Sequence, residues 1–314
     1  MKKPLIILTG PTAVGKTKLS ISLAQAVNGA IISADSMQVY RHMDIGSAKI
    51  RPEEMCGVPH YLIDVLDPSE EFHVVKFVEL AHEAMEKIYA AGQIPIVTGG
   101  TGFYIQALLK EVDFTESHGE LPIRKQLEEK AATEEGAAEL YRELSEVDPA
   151  SAETIHPNNV KRVIRALEYY HETGQKISEH NEEQKQKESP YCSAYFVLND
   201  ERSILYDRID RRVDQMICDG LVDEVFRLKE MGYTRDLVSM QGLGYKELFP
   251  YLAGECTLEE AVYIIKRDTR HFAKRQLTWF RREKDVIWLN KPDFDYDEEK
   301  ILSYMLDRWN EIVS

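Results

Sequence analysis

The sequence has few of the residues that define several classes of protein. Only 4 of its 314 residues are cysteines and none forms a CxxC pair, so neither a zinc knuckle nor a redox motif can be read from them. With 12 prolines and 17 glycines the composition is neither collagenous nor disordered. No apolar run approaches the ~18 residues of a membrane span. The apolar stretch before Gly10 and Pro11 is shorter than the ~7 residues that a signal peptide needs. We expect a globular cytoplasmic protein without a membrane segment.

Positive charge is also scarce. The chain carries 39 Lys and Arg against 54 Asp and Glu, a net charge of −15. This argues at first against nucleic acid as a partner, because phosphate contacts need cations. The distribution is uneven, however, since residues 266–284 hold 8 Lys or Arg against 2 acids, a local charge of +6. Local charge therefore decides more about partners than the net value does.

Short apolar runs alternate with helical patterns near the start of the chain. Residues 4–9, 31–33 and 94–97 have the composition of buried strands, and an apolar stripe from Phe77 to Ile88 has helical spacing. Strands that are apolar on both faces, separated by helices, indicate a mainly parallel sheet flanked by helices. Strand-like residues 194–198 and 286–289 come late. The sheet therefore receives residues from both ends of the chain.

The middle of the chain has a different pattern. A length of 314 residues predicts two domains, or one core with a large insertion, at roughly 150 residues per domain. From about 120 to 190 the sequence is helical and charge-rich without convincing strands, and residues 175–189 have the composition of an exposed loop. We predict an α/β core domain from residues 1–115 and 192–314, with an all-helical insertion domain at 116–191.

The most specific local motif is a phosphate-binding loop. Residues 10–17, GPTAVGKT, match GxxxxGK[ST] directly after a strand and at the start of a helix, as the motif requires. Glycines let backbone N–H groups turn towards an anion, and Lys16 adds a full positive charge. Thr17 is the candidate ligand of Mg²⁺. The predicted phosphate-binding residues are Gly10, Pro11, Thr12, Ala13, Val14, Gly15, Lys16 and Thr17, which makes the core P-loop NTPase-like without identifying the phosphate compound.

Two further segments follow predicted strands. Asp35 lies at the carboxyl end of the second strand, where ligands of open α/β sheets bind, so it is a base, a Mg²⁺ partner or the cap of a turn. No acid follows residues 94–97, where a nucleotide hydrolase normally has its metal-coordinating Asp. Residues 99–102 have only part of the spacing of a dinucleotide fingerprint. We expect instead a flexible loop that exposes Thr101 to a ligand.

Cations cluster in two predicted helices. Lys266, Arg270 and Lys274 recur every four residues and share one face of a helix that starts at a capping box, residues 257–260. This face either contacts RNA, with aromatic residues 279 and 280 nearby, or pairs with the acidic segments 126–146 and 293–311. A second helix, which starts near residue 200, carries Arg208, Arg211 and Arg212. One of these three could reach the phosphate site.

Five segments together resemble the bacterial tRNA dimethylallyltransferases, the tRNA isopentenyltransferase family. The likeness runs in order along nearly the whole chain, and the second segment is far more specific than the phosphate loop. The segments are GPTAVGKT (10–17), DSMQVYRHMDIGSAK (35–49), GGTGFY (99–104), KRVIRALE (161–168) and SMQGLGYKE (239–247).

The resemblance implies a reaction and roles for its residues. The family transfers a dimethylallyl group from dimethylallyl diphosphate to the exocyclic amine of the adenosine just 3′ of the anticodon. Thr12, Lys16 and Thr17 with Mg²⁺ would stabilise the leaving diphosphate. Asp35 would take a proton from the amine. Arg208 matches the diphosphate-contacting arginine of the family, with Arg212 as the alternative.

The resemblance also implies an RNA surface on a protein that we expect to be a monomer. The insertion would grasp the anticodon stem-loop, and Ser36 and Gln38 would orient an adenine flipped out of the stack. A small-molecule or nucleoside kinase using ATP, and an RNA-binding module without chemistry, remain alternatives. The residues expected to contact tRNA are Asp35, Ser36, Met37, Gln38, Thr101, Arg124, Lys161, Arg162, Arg165, Gln241, Gly242, Gly244, Lys246, Lys266, Arg270 and Lys274.

Overall fold

The chain divides into two units in the computed structural model, which describes residues 2–112 and 122–314. The first unit consists of Met1–Leu109 and Pro190–Ser314, and the second is the continuous segment Lys110–Ser189. The predicted boundary between residues 115 and 116 lies outside the described residues. The other predicted boundary, after residue 191, lies at the first residue of a strand.

The first unit is built on a six-stranded parallel sheet, as predicted. The strand order is β3-β2-β4-β1-β5-β6, so the strand before the phosphate loop is central and pairs with β4 and β5. All five strands predicted from the sequence are present. The strands are β1 (Lys3–Thr9), β2 (Gly29–Ala34), β3 (His60–Tyr61), β4 (Ile94–Gly99), β5 (Tyr191–Asn199) and β6 (Ile287–Asn290).

Both faces of the sheet are buried under helices. Successive residues of β1 point to opposite faces, with Leu5 and Ile7 in one apolar cluster and Ile6 and Leu8 in the other. The helices in the described residues are α1 (Lys16–Val27), α2 (Val74–Ala90), α3 (Gly102–Lys110), α4 (Pro122–Lys130), α5 (Glu134–Val147), α6 (Pro149–Thr154), α7 (Val160–Thr173), α8 (Ile177–Gln186), α9 (Arg202–Cys218), α10 (Leu221–Glu230), α11 (Leu248–Leu252), α12 (Leu258–Phe280) and α13 (Glu298–Val313). None of these helices is long and apolar enough to span a membrane.

The second unit contains α4 to α8 around its own apolar cluster, which includes Leu140, Leu144 and Leu167. The prediction of an exposed loop at residues 175–189 is wrong, because α8 occupies most of it. This helix has no strong apolar stripe, so periodicity did not reveal it. Its first turn is held instead by a polar contact, since Ser178 donates from its backbone N and its Oγ to the Asp148 carboxylate, at 3.0 and 2.6 Å.

Candidate active site

The phosphate loop connects β1 to α1 through two glycines with positive φ. Gly10 has φ 147° and Gly15, the N-cap of α1, has φ 102°. A Cβ on Gly10 would overlap the carbonyl oxygen of Leu198 in the neighbouring strand, so only glycine fits there. The loop therefore runs tightly across the end of β5 before α1 begins.

Lys16 is the central cation of this loop. Its Nζ donates to the carbonyl oxygens of Gly10 and Pro11, at 3.0 and 2.9 Å. Burial lowers the pKa of Lys16 to about 8; the charge of Arg212 lowers the pKa further, and Asp35 opposes the shift. Because the positive charge is unfavourable in this environment, an anionic ligand would stabilise the protonated lysine.

The loop borders a cavity with two adjoining compartments at the carboxyl ends of the strands. The first compartment has a volume of about 350 Å³ and is lined by Lys16, Thr17, Gln38 and Arg208 among others. We call it the donor-side compartment, because it adjoins the phosphate loop, where the resemblance to the family would put the diphosphate donor. The second compartment, of about 320 Å³, is lined by residues predicted to contact tRNA. The predicted residues of the second compartment are Ser36, Met37, Thr101, Gln241, Gly242, Gly244 and Lys246. Both compartments share Thr12, Ala13, Asp35, Ser47, Gly100, Arg212, Phe272 and Gln276.

Asp35 lies between the two compartments and also shapes the chain around it. Its Oδ1 accepts from the backbone N–H groups of Met37 and Gln38, at 2.8 and 3.3 Å. One carboxylate oxygen is thus the cap of a turn, one of the alternatives left open by the sequence. Its other oxygen, Oδ2, has no hydrogen-bond donor among the described residues. Asp35 can therefore cap the turn and accept a proton with different oxygens.

Gln38 has protein partners for both ends of its amide. Its Oε1 accepts from Ser33 Oγ at 3.0 Å, and its Nε2 donates to the carbonyl oxygens of Ser47 and Ala48 at 3.4 Å. The side chain thus joins β2 to the segment after the Asp35 turn. Besides lining the donor-side compartment, Gln38 fixes that segment against the sheet.

The three arginines of α9 have different environments. Arg208 and Arg212 both line the donor-side compartment. Arg208 also donates to the buried Asp200 at 2.6 Å, and burial lowers the pKa of Arg212. Arg211, by contrast, pairs with Asp207 on the exposed side of the helix. Arg208 and Arg212 are therefore both candidates for a phosphate contact, and Arg211 is not.

Gln276 of α12 joins two loops of the site, and sequence reasoning did not identify this residue. Its Oε1 accepts from the backbone N–H of Thr12 at 2.9 Å, and its Nε2 donates to the carbonyl of Gly100 at 3.0 Å. Gln276 is buried. A Cβ on Gly100 would overlap Nε2 of this amide, which explains a glycine at that position. No local pattern signals a contact between residues 264 positions apart.

Glu224 of α10 is a second residue that shapes the site and that sequence reasoning did not identify. Its buried carboxylate accepts from the backbone N–H groups of Asp44, Ile45 and Gly46 and from the hydroxyl of Tyr245. It thereby fixes the loop between β2 and β3, which reaches the cavity at residues 46–48. Tyr245, part of the SMQGLGYKE segment, is fully buried and supports this loop.

The predicted cationic stripe on α12 contains two residues with ion-pair partners and one without. Lys266 pairs with Asp214 at 2.6 Å and Arg270 with Asp210 at 2.5 Å, so both charges have partners on α9. The acids are not those of segments 126–146 or 293–311, which the sequence suggested. Contact of Lys266 and Arg270 with RNA would therefore require them to exchange these partners, and it stays a prediction. Lys274 is exposed and has no ion-pair partner among the described residues.

Other expected RNA contacts have internal partners or lie in the second unit. Phe280 is fully buried and cannot stack on a base. Arg124 and Arg165 each pair with the buried Glu168, at 3.3 and 2.9 Å. Lys161 and Arg162 of α7 are exposed, with no ion pair among the described residues.

The fold and cavity define a class: an α/β protein with a phosphate-loop motif beside a cavity of two compartments. The family model for IPP transferase matches residues 38–283, and that for isopentenyl transferase matches residues 3–71. The chain therefore belongs to the tRNA isopentenyltransferase (IPP transferase) family. This membership does not favour the kinase alternative.

Relatives of known identity cover almost all of the chain. A protein of Lachnoclostridium phytofermentans named tRNA dimethylallyltransferase is 66% identical over 94% of both chains. The crystal structure of the full-length tRNA isopentenylpyrophosphate transferase of Bacillus halodurans is 45% identical, with a TM-score of 0.74 over 99% of this chain and 98% of that one. A eukaryotic dimethylallyltransferase acting on tRNA has a TM-score of 0.79 and 36% identity, over 92% of this chain and 74% of that one.

Proposed function

We propose that this protein transfers a dimethylallyl group from dimethylallyl diphosphate to the exocyclic amine of the adenosine 3′-adjacent to the anticodon in tRNA. The observation that carries the proposal is that Asp35 lines both compartments of the cavity. A donor beside Lys16 and an adenine beside Met37 and Thr101 would meet at its carboxylate. Because a stacked base cannot reach such a cavity, the adenosine must be flipped out of the anticodon loop.

The reaction balances with the groups present. The amine nitrogen attacks the allylic carbon, a C–N bond forms as the C–O bond breaks, and the bonding electron pair leaves with diphosphate. The amine proton passes to Oδ2 of Asp35. Negative charge grows on the leaving group, and Lys16, Arg208 and Arg212 all line or adjoin the compartment that would hold it. Preorganised cations stabilise such charge most when water is excluded.

Mg²⁺ fits the donors around the loop. Thr17 lines the donor-side compartment next to Lys16, and its hydroxyl is an oxygen donor of the kind that Mg²⁺ prefers. Mg²⁺ is often held by one or two protein oxygens together with substrate phosphates, which matches this donor set. Thr17 would supply the protein ligand, and the bound ion would neutralise part of the diphosphate charge.

The exposed cations of the second unit are the remaining part of the proposed RNA contact. Lys161 and Arg162 would contact phosphates of the anticodon stem-loop. Arg124, which pairs with Glu128 and Glu168, and Arg165, which pairs with Glu168, would exchange these partners for phosphates. We also propose that the protein acts as a monomer in the cytoplasm.

A transfer assay tests the proposal directly. The full-length protein is incubated with unmodified tRNA, Mg²⁺ and labelled dimethylallyl diphosphate, and the tRNA is then digested to locate the label. We expect label on the adenosine 3′ of the anticodon and one diphosphate released per group transferred. Turnover of ATP without labelling of tRNA would overturn the proposal in favour of a kinase.

A further inference from the structure

Lys291, which directly follows β6, is a buried lysine that the proposed reaction does not use. Only 9% of its surface is exposed, and its Nζ has no hydrogen bond or ion pair among the described residues. Burial lowers the pKa of Lys291, and the nearby charge of Arg208 lowers the pKa further. A buried charge without a partner is unfavourable for the folded protein. The lysine therefore favours a role for its charge in ligand binding over a role in stability.

The ammonium group of Lys291 lies behind the phosphate loop. A Cβ on Gly15, the N-cap of α1, would lie 3.0 Å from Nζ of Lys291, so the two residues are in contact. Gly15 lines the donor-side compartment. In the described part of the chain, Lys291 is not itself a lining residue of that compartment. It is therefore placed to act on the diphosphate site through its neighbours.

The neighbour that connects Lys291 to the compartment is Asp200. Strands β5 and β6 pair with Asn199 opposite Asn290, and the side chains of these two residues are hydrogen-bonded at 3.0 Å. Asp200 and Lys291 are the next residues, and the charge of Asp200 raises the pKa of Lys291. Both oxygens of the carboxylate have donors, however: Oδ2 accepts from Arg208 at 2.6 Å, and Oδ1 accepts from a backbone N–H at 2.8 Å. One carboxylate thus has two cations near it and pairs with one.

We propose that Lys291 is a positioning residue of the diphosphate site, which pairs with Asp200 when Arg208 turns from Asp200 to the diphosphate. The inference rests on the proposed function, in which Arg208 contacts the leaving group.

The burial of Asp200 is the reason that such an exchange needs a second cation. The side chain of Asp200 is fully buried, whereas that of Arg208 is 36% exposed and lines the donor-side compartment. Removing one partner of a buried ion pair leaves an uncompensated charge, which is strongly unfavourable. With Lys291 beside it, Asp200 keeps a counter-charge after Arg208 has turned away. In the ligand-bound protein both cations are then paired, Arg208 with diphosphate and Lys291 with Asp200.

A double-mutant cycle tests the exchange. Lys291→Met and Asp200→Asn are made singly and together, and the affinity for inorganic diphosphate is measured by titration. Lys291→Met should weaken binding by about tenfold, because Arg208 then stays with Asp200. In the Asp200→Asn protein the same change should have little effect, because an amide needs no counter-charge and can still accept the backbone N–H through its oxygen.

The melting temperature separates this role from packing. Methionine is close to lysine in size and removes an unpaired buried charge, so Lys291→Met should not lower the melting temperature. A lowered melting temperature combined with wild-type diphosphate affinity would assign Lys291 to packing and overturn the proposal. Lys300→Met is the control for loss of one positive charge, because Lys300 is exposed and pairs with Asp295. This control should retain the wild-type affinity.

The remaining outcomes separate this proposal from the proposed function. An equal loss from Lys291→Met with and without Asp200 would mean that the lysine attracts diphosphate only through space, and the exchange would be wrong. Unchanged affinity in Arg208→Met would make Arg212 the contact and would also overturn the proposal. If the cycle shows the expected coupling but the wild-type protein labels no tRNA, the exchange stands and the proposed function fails.

Discussion

The two oxygens of the Asp35 carboxylate have different roles: Oδ1 caps a turn, and Oδ2 is the proposed base. Since Oδ1 of Asp35 caps a turn through Met37 and Gln38, an alanine would remove the turn and the base together. Asparagine can retain the Oδ1 contacts and removes only the base. We predict that Asp35→Asn slows transfer by about 10²- to 10⁴-fold, with diphosphate binding largely unchanged.

Single-turnover transfer rates and diphosphate titration check this prediction, with Asp35→Ala as the comparison. Near-normal transfer by the asparagine variant, combined with loss in the alanine variant, would mean that Asp35 acts only through the turn.

The lowered pKa of Lys16 predicts a pH dependence of donor binding. Its pKa is about 8 in the free protein, and a bound diphosphate raises it because the negative charge favours the ammonium form. Binding therefore takes up a proton at pH values above 8 and weakens as the pH rises. We expect the affinity for inorganic diphosphate to fall by about tenfold from pH 7 to pH 9.

Calorimetry in two buffers of different ionisation enthalpy measures both the affinity and the proton uptake. Lys16→Met provides the control, because it should bind weakly at both pH values. A wild-type affinity that is constant from pH 7 to pH 9 would contradict the assignment of Lys16 to the diphosphate.

The residues of the site that could be predicted lie in contiguous motifs. Lys16 and Asp35 each follow a strand in sequence, so the edge of a parallel sheet brings them together. Gln276 and Glu224 could not be predicted, because their partners are 264 and about 180 positions away and depend on tertiary packing. Polar residues with distant backbone partners leave no periodic signal.

At the scale of elements, the two hydrogen bonds of Gln276 connect α12 to the phosphate loop and to the loop after β4. Gln276→Leu would leave the partly buried N–H of Thr12 without its acceptor, and an unsatisfied buried group costs about 1–3 kcal/mol at most. Gln276→Glu would keep that acceptor but would place a negative charge against the Gly100 carbonyl and beside the donor-side compartment. We predict weaker diphosphate binding and slower transfer in both variants, through a displaced loop in the leucine variant and through charge repulsion in the glutamate variant.

Diphosphate titration and melting temperature distinguish a local from a general effect. Wild-type diphosphate affinity in the leucine variant would show that the bond to Thr12 does not position the loop.

The elements themselves were largely predictable. Strands β1, β2 and β4 are short apolar runs between turn residues, and α12 begins at the capping box formed by Thr257 and Glu260. Helix α8 was missed because it depends on the carboxylate of Asp148 and not on an apolar stripe. The pairing of α9 with α12 was missed because register between helices is not encoded in the spacing of either one.

At the scale of the whole molecule, the net charge of −15 repels RNA, so RNA must bind where the local charge of the surface is positive. Lys161 and Arg162 are exposed in the helical unit, as is Arg142 of α5. We predict that Lys161→Glu combined with Arg162→Glu weakens tRNA binding and reduces the salt slope by roughly 0.7 to 0.9 for each lost phosphate contact. Diphosphate binding should not change, because the donor-side compartment is lined by residues of the first unit.

Filter binding over a range of salt concentrations makes the measurement, with Arg142→Glu as the control for charge within the same unit. If the control weakens tRNA binding as much as the double variant does, the effect is one of overall charge and not of α7.

The central position of β1 has a consequence for the synthesis of the protein. This strand is translated before every other strand of the sheet, yet its partner β5 ends at Asn199, and Glu224, which holds the loop at Asp44 to Gly46, comes later still. The nascent chain must therefore keep an apolar strand with one open edge while the whole helical unit is translated. That unit is one continuous segment, so it can fold first, whereas the edge of the sheet that carries the cavity is completed only after α12 has been translated.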